Sequence, residues 1–122
     1  MSVAESVQGI GGVFFRARDP DALRGWYAQH LGIEMDDYGT TFTAREGDQT
    51  VWAPFAMDSG YFGRAEQQAM VNFRVRDLDL MLAQLRAAGA QVDVEVAEHE
   101  YGRFGWATDP EGNRFELWQP PS

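Results

Sequence analysis

Two stretches of this chain alternate apolar and polar residues in the same way. Over residues 10–18, Val13, Phe15 and Ala17 fall on one side and Phe14, Arg16 and Arg18 on the other, the period-two signature of a strand. Residues 69–76 do likewise, with Val71, Phe73 and Val75 against Met70, Asn72, Arg74 and Arg76. Each alternation then gives way to helical spacing. Asp19 as N-cap and Pro20 as first helical residue open a helix whose apolar face is Leu23, Trp26, Tyr27 and Leu31, and Gly32 stops it. Asp77 caps a second helix with Leu78, Met81, Leu82 and Leu85 facing inward, closed by Gly89. After the first helix, the turn-like Tyr38-Gly39 and Glu46-Gly47-Asp48 separate predicted strands at 33–38, 40–45 and 49–54. After the second, strands are predicted near 91–97, 102–108 and 113–118, the last entered through the turn Asp109-Pro110-Glu111-Gly112.

The order β-α-β-β-β therefore occurs twice, and the correspondence extends to identity. Val13-Phe-Phe-Arg-Ala-Arg-Asp-Pro-Asp21 returns 58 positions later as Val71-Asn-Phe-Arg-Val-Arg-Asp-Leu-Asp79, with six of the nine positions identical. The pattern predicts an α+β fold and one domain over 1–122, with module one about 9–55, a linker about 56–68 and module two about 69–120. The stretch from Phe55 to Gln68 is long for a plain connector. Tyr61 and Phe62, beside Gly60 and Gly63, make it either a linker or a flap.

Composition narrows the chemistry. A chain of 122 residues buries roughly two thirds of its extended surface, enough for one core without staples. With no cysteine there are no disulfides, thiolate metal sites or cysteine nucleophiles, and a cytoplasmic location is the expectation. All ten basic residues are arginines, so no lysine is available for Schiff-base chemistry. A net charge of −9 repels phosphate backbones and argues against nucleic-acid partners. No apolar run approaches the ~20 residues of a membrane span, and the opening MSVAESVQG lacks the basic and apolar regions of a signal peptide. No phosphate-cradling loop, dinucleotide fingerprint or Ser-His-Asp signature is present, and Gly9-Ile-Gly-Gly12 precedes a strand rather than a helix.

The doubled unit resembles the vicinal oxygen chelate superfamily, the group of glyoxalases, bleomycin-resistance proteins and extradiol dioxygenases. Arg18-Asp19 before a helix containing Trp26-Tyr27 and ending in Leu31-Gly32 is similar to the first-module signature. Asp109-Pro-Glu-Gly-Asn-Arg-Phe-Glu-Leu117 is similar to the closing strand. The resemblance implies two βαβββ modules, each curling a mixed sheet into half of a cup with helices outside and a ligand within. It further implies a homodimer, sometimes with exchanged modules. Family enzymes hold a divalent metal with two side chains from each module, and those positions fall on Gly12, Thr50, Met70 and Glu116 here. Of these only Glu116 is a competent ligand, so no metal and no other cofactor is expected at that place.

On this register, side chains of the ligand-equivalent positions and their i+2 neighbours share the cup face. That face comprises Gly12, Phe14, Arg16, Thr50, Trp52, Met70, Asn72, Arg74, Arg114, Glu116 and Trp118. Val13, Phe15, Val51, Val71, Phe73, Phe115 and Leu117 are expected to pack on the helices. The cup is expected to take a small aromatic or anionic molecule. Arg16 and Arg74 either grip an anion or pair with acids such as Glu116, and Trp52 and Trp118 are either ligand platforms or core. Tyr101 and Arg103, with His99, either close over the cup or form a solvated turn; His30 is expected at the surface. Glu116 is either a general base or a plain partner for an arginine. Three readings stay open: a metal-independent binder on the bleomycin-resistance precedent, a lyase, isomerase or dioxygenase whose metal is held by Glu116 with His99 or Glu100, and a dimerisation module.

Overall fold

The computed structural model describes residues 13, 15, 17–37, 39–51, 53 and 55–121. Helix α1 spans Pro20–Leu31. The Asp19 side chain accepts from the Ala22 amide at 3.1 Å, and Gly32 ends the helix at φ 71°, a left-handed value that suits glycine. The residues entering α1 are clamped from far along the chain, because the Glu111 carboxylate accepts from the backbone amides of Arg18 and Asp19, both at 3.2 Å. Helix α2 spans Leu78–Ala87, and its N-cap Asp77 accepts from the Leu80 amide at 3.0 Å.

Five strands follow the predicted order of the second half. They are β1 (Asn72–Arg74), β2 (Gln91–Val92), β3 (Ala97–His99), β4 (Gly102–Thr108) and β5 (Arg114–Gln119). They form one mixed, unclosed sheet in the order β1-β5-β4-β2, with β3 also paired to β4. The β1–β5 pairing is parallel and the others are antiparallel. The strand predicted near 91–97 is thus interrupted, with β2 and β3 following one another along the same edge of β4.

One sheet face carries the core. Leu78, Leu82 and Leu85 of α2 bury themselves against Ala107, Phe115 and Leu117, with Phe73, Val75, Val92, Trp26 and Leu31 packed around them. Each fully buried leucine or phenylalanine there contributes about 1.5–3 kcal/mol relative to exposure. Helix α1 joins the same face through Trp26 and Tyr27, whose rings meet Phe115 at 6.3 and 6.1 Å. No helix among the described residues is long and apolar enough to cross a membrane.

The first half departs from expectation. Among the described residues 33–55 no strand forms, and a single bridge joins Asp36 to Gly39. The reason lies in what those residues offer for burial. Polar side chains dominate from Asp36 to Thr50, so a hairpin there has little apolar face, and an isolated hairpin is marginal in water. Val13, Phe15 and Val51, expected against the helices, are instead exposed, as is Phe42. Most of the predicted strand 10–18 lies outside the described residues.

Candidate functional site

The face turned away from the helices is where the sequence concentrates chemistry. Register pairs Asn72 with Glu116, Glu116 with Trp106, Arg74 with Trp118 and Trp118 with Phe104. Strand parity puts these six side chains, with Arg114, on that face.

Glu116 is 9% exposed and stands among donors. Asn72 Nδ2 donates to its Oε1 at 2.7 Å, Trp106 Nε1 donates to its Oε2 at 3.1 Å, and the Tyr61 hydroxyl donates to that same Oε2. The donors come from β1, β4 and the connector before β1. Burial and the neighbouring Glu116, as hydrogen-bond acceptor and as charge, push the Tyr61 phenol well above its ordinary range. The Tyr61 ring stacks on Phe55 with centroids 5.2 Å apart and meets Trp106 edge-on at 5.7 Å.

Arg114 frames this cluster. Its guanidinium carbon lies 5.4 Å from the Trp106 centroid, its Nη1 donates to Asp93 at 2.7 Å, and its Nε donates to the Tyr61 carbonyl at 3.0 Å. Gln67 ties the connector to the start of β5 by accepting from the Arg114 amide at 2.8 Å and donating to the Arg114 carbonyl at 2.7 Å.

At the other end of this face, Trp118 and Phe104 lie parallel, 6.1 Å apart, and Trp118 Nε1 donates to the Tyr101 carbonyl at 2.9 Å. Gly102 makes that approach possible: at φ 132°, a Cβ there would stand 2.5 Å from both the Gln119 carbonyl oxygen and Trp118 Nε1. Tyr101 is exposed and stacks on His99 at 5.0 Å.

The structure therefore gathers Asn72 and Glu116, with Trp118 and Arg74 along the same face. Arg74 is engaged by Asp48 at 3.6 Å and by the Gln49 carbonyl. Arg103 is held elsewhere, bonded to Asp79 of α2 at 3.0 Å with Glu98 at 3.5 Å. That pairing raises the Arg103 pKa and lowers that of Asp79. Thr50 is exposed and Met70 half-buried. Phe14, Arg16, Trp52 and the ligand-equivalent Gly12 lie outside the described residues.

Trp106, Phe104, Asp93 and Gln67 were not singled out by the sequence. Trp106 was the most accessible of them, because carrying strand parity across the Asp109 turn sets it opposite Glu116.

A family metal does not fit the described donors. Both Glu116 oxygens already accept from an amide, an indole and a phenol, and an amide or indole N–H has no lone pair to offer a cation. Among the described residues no group of three or more His, Cys, Asp and Glu is close enough to hold one. Two open hollows of about 320 and 290 Å³ lie elsewhere, one at Glu34, Asp36 and Thr40, the other at Arg18, Arg64 and Glu111. Neither gathers donors around a buried acid as the Glu116 cluster does.

A model of the glyoxalase-like domain matches residues 12–118. Among solved structures, the chain is similar to TnmS3, an antibiotic-binding protein from Streptomyces sp. CB03234, at 22% identity, covering 98% of this chain and 100% of that one with a TM-score of 0.58. It is similar to a glyoxylase/bleomycin resistance protein/dioxygenase domain from Frankia sp. EAN1pec at 21% identity, covering 96% and 95% with a TM-score of 0.60. A glyoxalase/bleomycin resistance protein/dioxygenase superfamily member from Sphaerobacter thermophilus DSM 20745 is 19% identical over 84% and 90%, with a TM-score of 0.53. No curated protein sequence matches. At these identities the likenesses speak for the fold.

Proposed function

The chain belongs to the glyoxalase-like domain family, within the vicinal oxygen chelate superfamily, and on that premise we propose that it binds a small organic molecule on the face around Glu116 without a metal. The observation that carries this reading is a buried carboxylate oriented by three neutral side-chain donors from separate segments. An acid in that setting serves as an orienting acceptor for a ligand. The rings of Trp106, Phe104 and Trp118 supply flat apolar surface beside it. The anionic part of the expectation receives less support, since Arg74 and Arg114 already pair with Asp48 and Asp93. The antibiotic binding named for the Streptomyces protein supports a sequestering role over turnover. In purified protein, metal analysis is expected to find no stoichiometric cation, and a thermal-shift screen of small aromatic compounds to find stabilising ligands whose effect is lost in Glu116→Ala. A stoichiometric metal whose removal abolished ligand binding would refute the reading.

A homodimer is proposed alongside it. Val13, Phe15, Phe42 and Val51 are large exposed apolar side chains in the half that repeats the motif of the other. A second copy of the chain would cover these side chains. A solution mass of one chain, 13.7 kDa, at micromolar concentration would argue against the dimer.

A further inference from the structure

The occupant of the Glu116 site is itself informative. Tyr61 is a phenol delivered by the connector rather than by a helix or strand. Around it the backbone–backbone bonds are isolated turns, Ser59 to Ala56, Gly63 to Gly60 and Gln67 to Arg64. The segment is tied to the sheet through side chains, Arg114 Nε on the Tyr61 carbonyl and Gln67 on Arg114. A segment of that kind opens at low free-energy cost compared with the sheet beneath it. The sheet side is fixed: Asn72 and Trp106 hold the Glu116 carboxylate in place from β1 and β4 whether or not Tyr61 is there. Tyr61 thus occupies a subsite already shaped for it, with a carboxylate oxygen to accept a hydrogen bond from its hydroxyl, Trp106 perpendicular to the ring, and Phe55 stacked on it.

We propose that this subsite recognises a hydroxyaryl group, and that Tyr61 is its internal occupant, displaced when a phenolic ligand binds. The inference rests on the small-molecule reading above and names the chemical class. A carboxylate only accepts, so the ligand group must donate; that rejects ethers and carbonyls. A second anion would be repelled by Glu116. An ammonium, though attracted by Glu116, would have to shed its water between the rings of Phe55 and Trp106, which a neutral phenol does at far lower cost. A neutral aromatic hydroxyl satisfies all three constraints.

The test empties the subsite and offers it the missing side chain. Tyr61→Gly is titrated with p-cresol, 4-methylanisole, 4-methylbenzylamine and 4-methylbenzoate, followed by tryptophan fluorescence and thermal shift. The intact protein is titrated in parallel with 2-naphthol and 2-methoxynaphthalene, which keeps the test independent of the variant's folding. The expected result is p-cresol binding Tyr61→Gly about tenfold or more tighter than 4-methylanisole, the worth of one hydrogen bond to a charged acceptor. The same preference for naphthol over its methyl ether, at weaker affinity, is expected in the intact protein, where Tyr61 competes. Equal binding of hydroxyl and ether overturns the hydroxyaryl assignment while leaving small-molecule binding on this face intact. Tighter binding of the amine or the benzoate does the same. Absence of binding by every compound removes both this inference and the reading it rests on.

Discussion

Asp109 and Glu116 are carboxylates withdrawn from water on the same hairpin, at 4% and 9% exposure, and they are held in opposite ways. Asp109 is secured mostly from within its own turn. Its oxygens accept from the amides of Glu111 and Asn113, both at 2.9 Å, and from the Asn113 side chain, with the Tyr27 hydroxyl of α1 adding a bond of 2.8 Å. Glu116 takes nothing from its own turn; its partners are side chains, and one rides on an irregular connector. Backbone amides cannot leave without unfolding the turn, whereas a side chain on a connector can be exchanged for a ligand. The first acid is a rivet and the second is a socket.

The comparison can be broken most directly by stability. Asp109→Ala strands two backbone amides and a buried phenol, and about 3 kcal/mol or more of unfolding free energy is expected to be lost, read from urea midpoints. Glu116→Gln keeps the volume and one acceptor, and its expected loss is smaller, about 1 kcal/mol. Equal losses would erase the distinction.

A finer measurement uses the two phenols. Burial first, then the charge and hydrogen bond of Asp109, hold the Tyr27 pKa far above its ordinary 10.0; Tyr61 is raised by burial and Glu116. A phenol that keeps its proton more tightly when folded lends stability that is complete below pH 10 and declines as pH rises beyond it. Unfolding midpoints are therefore expected to fall above pH 10. Tyr27→Phe should flatten that fall more than Tyr61→Phe, because Tyr27 is more deeply buried. The reverse order would place the rivet at Glu116.

Much of this was legible in the sequence where local and long-range preferences agree. The leucines of α2, the Asp77 cap and the Asp109 turn all read correctly because helix period, capping and turn chemistry point to one answer. Strand parity also brought Asn72 and Glu116 to one face, and the register pairs them. The connector did not read, because no periodicity links Tyr61 to a carboxylate 55 residues away. That contact depends on Gln67 pinning the segment to Arg114. Arg103 falls within the predicted strand 102–108, opposite Gln119 in β4, and its side chain reaches Asp79 of α2. Of the strands predicted at 33–38, 40–45 and 49–54, the described residues form none, in keeping with the polar side chains that dominate from Asp36 to Thr50.

The interruption between β2 and β3 has a consequence for assembly. Asp93 sits at the break, donating its amide to the Trp106 carbonyl at 2.9 Å while its carboxylate takes Arg114 and its carbonyl takes Arg86. An uninterrupted border strand would be a template on which further chains could zip into fibrils; a charged, kinked one is a poor template. Open-ended polymerisation by strand addition is discouraged along that margin.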